Sequence, residues 1–326
     1  MSARDRVADV IGQSLPVMNT EFDPLGPVVH TIRVASGRTM RYIDEGDRTW
    51  PTLLFFGGAG TSVRAFGLLE FARSFREELG VRVVSVERNG LGGTPFDPGQ
   101  GMTEHAEDVW DVVDHLGVPR PSVMMISGGG PYAAHVMAAR PGAVRSVHVA
   151  CAYAEALPGF VRPFDVDDVA DDPVSWWAYP PDSTVAKVPG FIDSTVDEAT
   201  RARFTQGRHR DPEGLRHAFH LYETVALPAL DAITAQAFLY WGSEDKLVTN
   251  AHLERWNQAL PQAVVRRYEV EGHDVQYRHW DQVLCDVVHL GQRIVLSDDT
   301  RTVLAPADQA TDLIDSGWTL GLRAWR

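Results

Sequence analysis

The amino-acid sequence predicts an α/β fold: a mostly parallel central sheet with helices on both faces, interrupted by one helical insertion. Three observations lead there. Short apolar runs of strand-like length and branching alternate with helical stretches, the pattern of a parallel sheet covered on both sides. Glycine-containing turns follow those runs after Phe56, Val86, Ile126 and Trp241. Residues 152–230 then break the alternation, being rich in Pro, Asp and aromatic side chains without a strand-like run.

Residues 1–27 are polar and end in Asp23-Pro24-Leu25-Gly26-Pro27, an N-terminal arm with room for a short helix around Val7 to Ile11. Val28–Val34 and Thr39–Ile43 read as strands joined by a turn at Ser36-Gly37-Arg38. Thr52–Phe56 is continuously apolar, as suits a strand buried on both faces. A helix is expected over Ala65–Glu78 and a strand over Val81–Val86. Thr103–Leu116 is amphipathic, with Thr103 at the N-cap and Val109, Val112, Val113 and Leu116 on one stripe. The strand Val123–Ile126 runs through Ser127 and three glycines into a helix over Tyr132–Ala139, and Val144–Ala150 is the next strand.

Within the insertion, Asp211 and Pro212 suit the N-cap and first position of a helix with Leu215, Phe219, Tyr222 and Ala226 on its apolar stripe. The sheet resumes with Ala237–Trp241, a helix over Ala251–Leu260, a strand over Val264–Val270 and a helix over Trp280–Leu290. A tail follows Gly291: a hairpin of Arg293–Leu296 and Thr300–Leu304, a short helix over Pro306–Ser316 and a last strand over Trp318–Trp325. The expected organisation is thus an arm (1–27), a core (28–151 and 231–293), a helical lid (152–230) and a C-terminal extension (294–326).

A net charge of −14 argues against nucleic acid and anionic membrane surfaces as partners. No stretch approaches the roughly 18 apolar residues of a membrane span, and residues 1–20 lack a basic segment followed by an apolar run. A cytoplasmic protein is expected. Cys151 and Cys285 stand in apolar contexts without metal-ligand spacing and read as buried free thiols. The glycine loops after Phe56 and Val86 fail as dinucleotide fingerprints, because Val63 and Pro95 occupy the third glycine positions.

Ser127 stands between strand and helix with Gly128, Gly129 and Gly130 behind it. Such a turn lifts a hydroxyl above the sheet beside the positive end of a helix, as in a nucleophile elbow. The alternative is a serine that merely caps the helix. Asp245 and His273 also follow strands, and open α/β sheets place their sites at those strand ends.

The order Ser127, Asp245, His273, together with Phe56-Gly57-Gly58-Ala59-Gly60, Glu87-Arg88-Asn89-Gly90-Leu91-Gly92-Gly93-Thr94, Ser127-Gly128-Gly129-Gly130-Pro131-Tyr132-Ala133, Gly242-Ser243-Glu244-Asp245 and Gly272-His273, resembles the α/β-hydrolase superfamily over roughly residues 28–291. The resemblance implies Ser127 as nucleophile, His273 as base and Asp245 as its orienting acid, with adjacent Glu244 as the rival for that role. It implies an oxyanion hole from the amides of Gly58 and Gly128. Two positions depart from the family pattern: Phe56 replaces the histidine that usually opens the first loop, and Met125 replaces the first elbow glycine.

The expected function is a serine hydrolase cleaving a small or medium apolar carboxylic ester, thioester or amide, with no cofactor and no metal. Acyl transfer or cyclisation on the same triad is the alternative, as is other non-hydrolytic chemistry, since fold does not fix function. A non-catalytic protein holding a small molecule under the lid is the rival from another class. Trp176, Trp177, Phe219 and Tyr222 are the candidate pocket residues. His217 and His220, three apart on the lid helix, lack a carboxylate or cysteine in register and read as solvated or pocket-lining. His279 and Asp274 are expected at the surface. The last strand leaves pairing with a second copy of the chain open.

Overall fold

A computed structural model describes residues 20–21, 27–159, 162, 164–171 and 212–323. Its centre is a nine-stranded sheet of β1 (Thr20–Glu21), β2 (Val29–Arg33), β3 (Thr39–Glu45), β4 (Thr52–Phe56), β5 (Arg82–Val86), β6 (Ser122–Ile126), β7 (Ser146–Ala150), β8 (Gln236–Gly242) and β9 (Val264–Tyr268). The spatial order is β1-β2-β3-β5-β4-β6-β7-β8-β9. The three pairings from β1 to β5 are antiparallel, and every pairing from β5 to β9 is parallel. Strands β4 to β7 are buried at every position, because helices cover both of their faces.

Among the described residues, the helices between and after these strands are α1 (Arg73–Leu79), α2 (Met102–His115), α3 (Gly130–Ala139), α4 (Val166–Asp171), α5 (Glu213–Thr224), α6 (Asn250–Ala259), α7 (Val275–Arg278) and α8 (Trp280–His289). One apolar layer joins Val109 and Val112 of α2, Tyr132 and Val136 of α3, Leu215 and Phe219 of α5 and Trp256 of α6 to one face of the sheet. On the other face Phe66, Leu69, Trp280, Val283 and Leu284 pack against Leu53, Phe55 and Phe238. Both positions that depart from the family pattern are packing positions in the first layer, with Met125 fully buried and Phe56 nearly so.

Several boundaries differ from the expectation. The helix expected over Ala65–Glu78 is a 3-10 segment, Val63–Ala72, that becomes α-helical only at Arg73. Thr103 is inside α2 rather than at its cap: the N-cap is Gly101, whose amide donates to the Glu104 carboxylate at 3.0 Å. Helix α5 begins at Glu213 with Pro212 at the N-cap, so Pro212 is not its first helical residue. Asp211, and the helix expected around Val7–Ile11, lie outside the described residues.

The C-terminal extension forms a second sheet in which β10 (Arg293–Ser297) pairs with β11 (Thr302–Pro306) on one side and β12 (Thr319–Leu320) on the other. The last strand is therefore two residues long, not eight. Short helix α9 (Ala310–Asp315) closes a small cluster of Ile294, Leu296, Ala305 and Ala310. This unit is tied to α8: Gln282 accepts from the Val295 amide, and the buried Asp281 carboxylate accepts from the Leu322 amide at 2.8 Å.

Candidate active site

Ser127 is the first residue after β6 and adopts φ 49°, a left-handed conformation that non-glycine residues rarely hold. The strain, of order 1–3 kcal/mol, is fixed by neighbours. The carbonyl oxygen of Ser127 accepts from the Tyr153 amide at 2.8 Å, tying the turn to the chain leaving β7. The glycines behind it are sterically required. A Cβ on Gly129 would strike the Phe56 carbonyl oxygen, and one on Gly130 would strike that of Tyr153. Three strand ends converge so closely that only bare backbone fits between them.

Asp245 and His273 come from the loops after β8 and β9. The Asp245 side chain is fully buried, and its Oδ1 accepts from the amides of Leu247 and Val248 at 2.9 and 2.8 Å. Its Oδ2 accepts from His273 Nδ1 at 2.8 Å. That contact places the ring proton on Nδ1, leaving Nε2 as an acceptor 3.1 Å from Ser127 Oγ. Ser127, His273 and Asp245, read from the sequence as one set, thus form one continuous hydrogen-bonded chain. Glu244, the rival acid, has its backbone amide bonded to the Glu271 carbonyl and does not enter that chain.

Burial alone would push the Asp245 carboxyl up, but attraction and hydrogen bonding from His273, with the Val248 amide, bring it below its ordinary value. Cys151, at φ 44° just past β7, is a neighbour that the sequence did not connect to the site. Its thiol lies within 4.8 Å of ligand atoms of both Asp245 and His273. It is a free thiol, and burial, reinforced by the Asp245 charge, pushes it well up. Such a thiol remains protonated and inert at neutral pH.

The proposed oxyanion residues Gly58 and Gly128 are both buried, and the loop carrying Gly58 packs on Gly128 through the next residue: a Cβ on Gly128 would lie 2.8 Å from the Ala59 Cβ. The loop carrying Gly58 is held by Arg88 from the end of β5. Arg88 Nη2 donates to the Gly58 carbonyl at 2.5 Å, the Thr61 carbonyl at 2.9 Å and Thr61 Oγ1 at 3.1 Å. Thr61 Oγ1 donates to the same Gly58 carbonyl at 2.7 Å.

Tyr222 of α5, whose hydroxyl lies beside Gly128, belongs with Phe219 to one aromatic cluster that includes Tyr132, Tyr153 and Phe164. The helix can come this near because Gly214 meets Gly90 backbone to backbone, where a Cβ on Gly214 would stand 2.5 Å from the Gly90 carbonyl oxygen. Trp176 and Trp177 lie outside the described residues. His217 Nε2 donates to the Gln100 carbonyl oxygen at 2.9 Å and therefore serves packing of α5, while His220 is exposed. His279 and Asp274 are not surface residues. His279 stacks on Tyr268 with ring centroids 3.5 Å apart and bonds Glu271, and Asp274 is buried at the N-cap of α7. Both close the loop that carries His273.

Solved structures share this arrangement of strands and helices. A carboxylesterase study of Nitrososphaera gargenis supplies one, with TM-score 0.63 and 17% identity over 83% of this chain and 98% of the other. The chain has the α/β-hydrolase fold. An α/β-hydrolase-fold protein from Nakamurella multipartita matches with TM-score 0.64 and 20% identity, over 80% of this chain and 98% of that one. An esterase from Rhodococcus sp. ECU1013 matches with TM-score 0.61 and 16% identity, over 81% and 99% of the two chains. No family model matches the sequence, and no curated protein does. Within this α/β-hydrolase fold, each residue of the Ser127–His273–Asp245 chain stands at the C-terminal end of a parallel strand.

Proposed function

We propose that the protein is a serine hydrolase acting on a small or medium apolar carboxylic ester, thioester or amide through an acyl-enzyme on Ser127. The observation that carries this reading is the Ser127–His273–Asp245 hydrogen-bonded chain, with the serine held at positive φ at the mouth of β6. A serine hydroxyl is a weak nucleophile until a base takes its proton, and His273 Nε2 is in reach to do so.

In this mechanism Ser127 Oγ attacks the carbonyl carbon while its proton passes to His273 Nε2. The carbonyl π electrons move to oxygen, and the resulting oxyanion is met by the amides of Gly58 and Gly128. Collapse re-forms the carbonyl and expels the leaving group, which takes the proton from His273. Water then attacks the acyl-enzyme by the same steps and regenerates Ser127. Asp245 holds the imidazole in the required tautomer and stabilises the transient imidazolium without being protonated itself. The apolar acyl group is assigned to the aromatic surface of Tyr153, Phe219 and Tyr222.

The experiment is intact-protein mass after incubation with a fluorophosphonate, for wild type and Ser127→Ala. Labelling of wild type alone supports an activated serine, and failure to label folded wild type overturns the reading in favour of a binding protein. Release of acid rather than transfer to an added alcohol or amine separates hydrolysis from acyl transfer.

A further inference from the structure

We propose that the Tyr222 hydroxyl, oriented by Arg88, is a third hydrogen-bond donor to the oxygen of the scissile carbonyl, beside the amides of Gly58 and Gly128. The inference rests on the serine-hydrolase reading and adds a catalytic group from the helical insertion.

The first observation is position. Gly128 has no side chain, and the space a Cβ would occupy is 2.8 Å from the Tyr222 hydroxyl. Residue 128 directly follows the nucleophile, so this hydroxyl stands at the flank of the amide that receives the oxyanion. The second observation is the direction of its proton. Arg88 Nη1 lies 3.3 Å from the Tyr222 oxygen, and a guanidinium only donates. The phenol oxygen is therefore the acceptor of that bond, and its own hydrogen remains for another partner. Among the described residues none receives it.

The third observation is the role of Arg88 itself. The same guanidinium grips the Gly58 carbonyl and both oxygens of Thr61, so one side chain sets the position of the loop and of the tyrosine together. Arg88 is only 4% exposed, its face lies over the Tyr132 ring, and it makes no ion pair with a carboxylate among the described residues. Neighbouring Glu87 bonds the Val63 amide instead. The guanidinium thus acts through the Gly58 loop and the Tyr222 oxygen that it holds.

The ring of Tyr222 is fixed by Tyr132, Tyr153 and Phe219 at centroid distances of 6.1, 5.9 and 5.5 Å. The donor is thus pre-positioned. Its place depends on the close approach of α5 to Gly90, where a Cβ on Gly214 would stand 2.5 Å from the Gly90 carbonyl oxygen.

The test is Tyr222→Phe, which keeps the ring and removes only the hydroxyl. Expected is a fall in kcat of about 10- to 100-fold on a p-nitrophenyl ester, with KM within about twofold, since losing one oxyanion donor typically costs about 10²–10³ and the two amides remain. Affinity for an alkyl trifluoromethyl ketone, whose Ser127 adduct carries an oxyanion, should fall by a similar factor, while the melting temperature falls by only a few degrees as Arg88 loses one acceptor. Wild-type kcat and ketone affinity in Tyr222→Phe, in an enzyme whose Ser127 labels with fluorophosphonate, would overturn this inference alone. An unlabelled wild type would overturn the hydrolase reading with it. If Tyr222→Phe does not fold, 3-fluorotyrosine at position 222 keeps the hydroxyl and makes it a stronger donor. Tighter ketone binding is then expected, and unchanged binding overturns the proposal.

Discussion

The two oxygens of Asp245 serve different partners, and only one belongs to His273. Oδ1 is held by the amides of Leu247 and Val248, and Oδ2 meets His273 Nδ1 at 2.8 Å. The loop after β8 thereby aims the carboxylate before any substrate arrives.

Asp245→Asn keeps the shape and removes the charge. A neutral amide favours the wrong tautomer of His273, so kcat is expected to drop by about 10³- to 10⁴-fold with modest change in KM. Steady-state kinetics on a p-nitrophenyl ester decides this, and near-wild-type kcat would remove Asp245 from the mechanism.

The same carboxyl makes the fold sensitive to acid. Its pKa is depressed in the folded protein, because the pull of His273 and the Val248 amide overcomes burial. A depressed carboxyl contributes stability above its unfolded value of about 3.9 and loses it as pH falls through the lower folded value. The stability difference between wild type and Asp245→Asn should therefore narrow as urea unfolding is repeated from about pH 5 down to about pH 2.

Gly130→Ala tests the crowding behind the nucleophile. The added methyl would collide with the Tyr153 carbonyl oxygen, which is backbone and cannot swing away. A loss of about 3 kcal/mol or failure to fold is expected, and an unchanged urea midpoint would contradict the close approach of β6 and β7.

Val270 holds φ 61° with its side chain 71% exposed, so a β-branched residue bears left-handed strain without compensating burial. Asparagine tolerates that conformation far better. Val270→Asn is expected to raise stability by about 1 kcal/mol, read as a higher melting temperature with activity retained.

Cys151 and Cys285 are buried, and burial raises both thiols, Cys285 to about 12. A thiol reagent should find neither in the native protein and both in guanidinium. Rapid native modification of Cys151 would mean that the site beside Asp245 opens to solvent.

Much of this was legible beforehand because it is local. The length and branching of Thr52–Phe56 make a buried strand, the break at Gly117 ends a helix, and the strand-Ser-glycine-helix pattern singles out Ser127 as a candidate nucleophile. The order Ser127, Asp245, His273 carried the candidate triad for the same reason, each residue following a strand. What no local pattern contains is which distant groups meet. Ser146, His148, Tyr240, Asp286 and Arg266 form a buried polar chain across β7, β8, β9 and α8, yet in sequence they look like unrelated residues within apolar runs. Cys151 beside Asp245, and Arg88 between Gly58 and Tyr222, are likewise products of strand order and helix packing. The sequence by itself determined the alternation of strands and helices and the residue types at their ends, since those follow from backbone preference and side-chain periodicity. Only the tertiary structure decided how those ends converge, because contacts over 30 to 150 residues of chain depend on which strands lie side by side and how closely glycine lets their backbones approach.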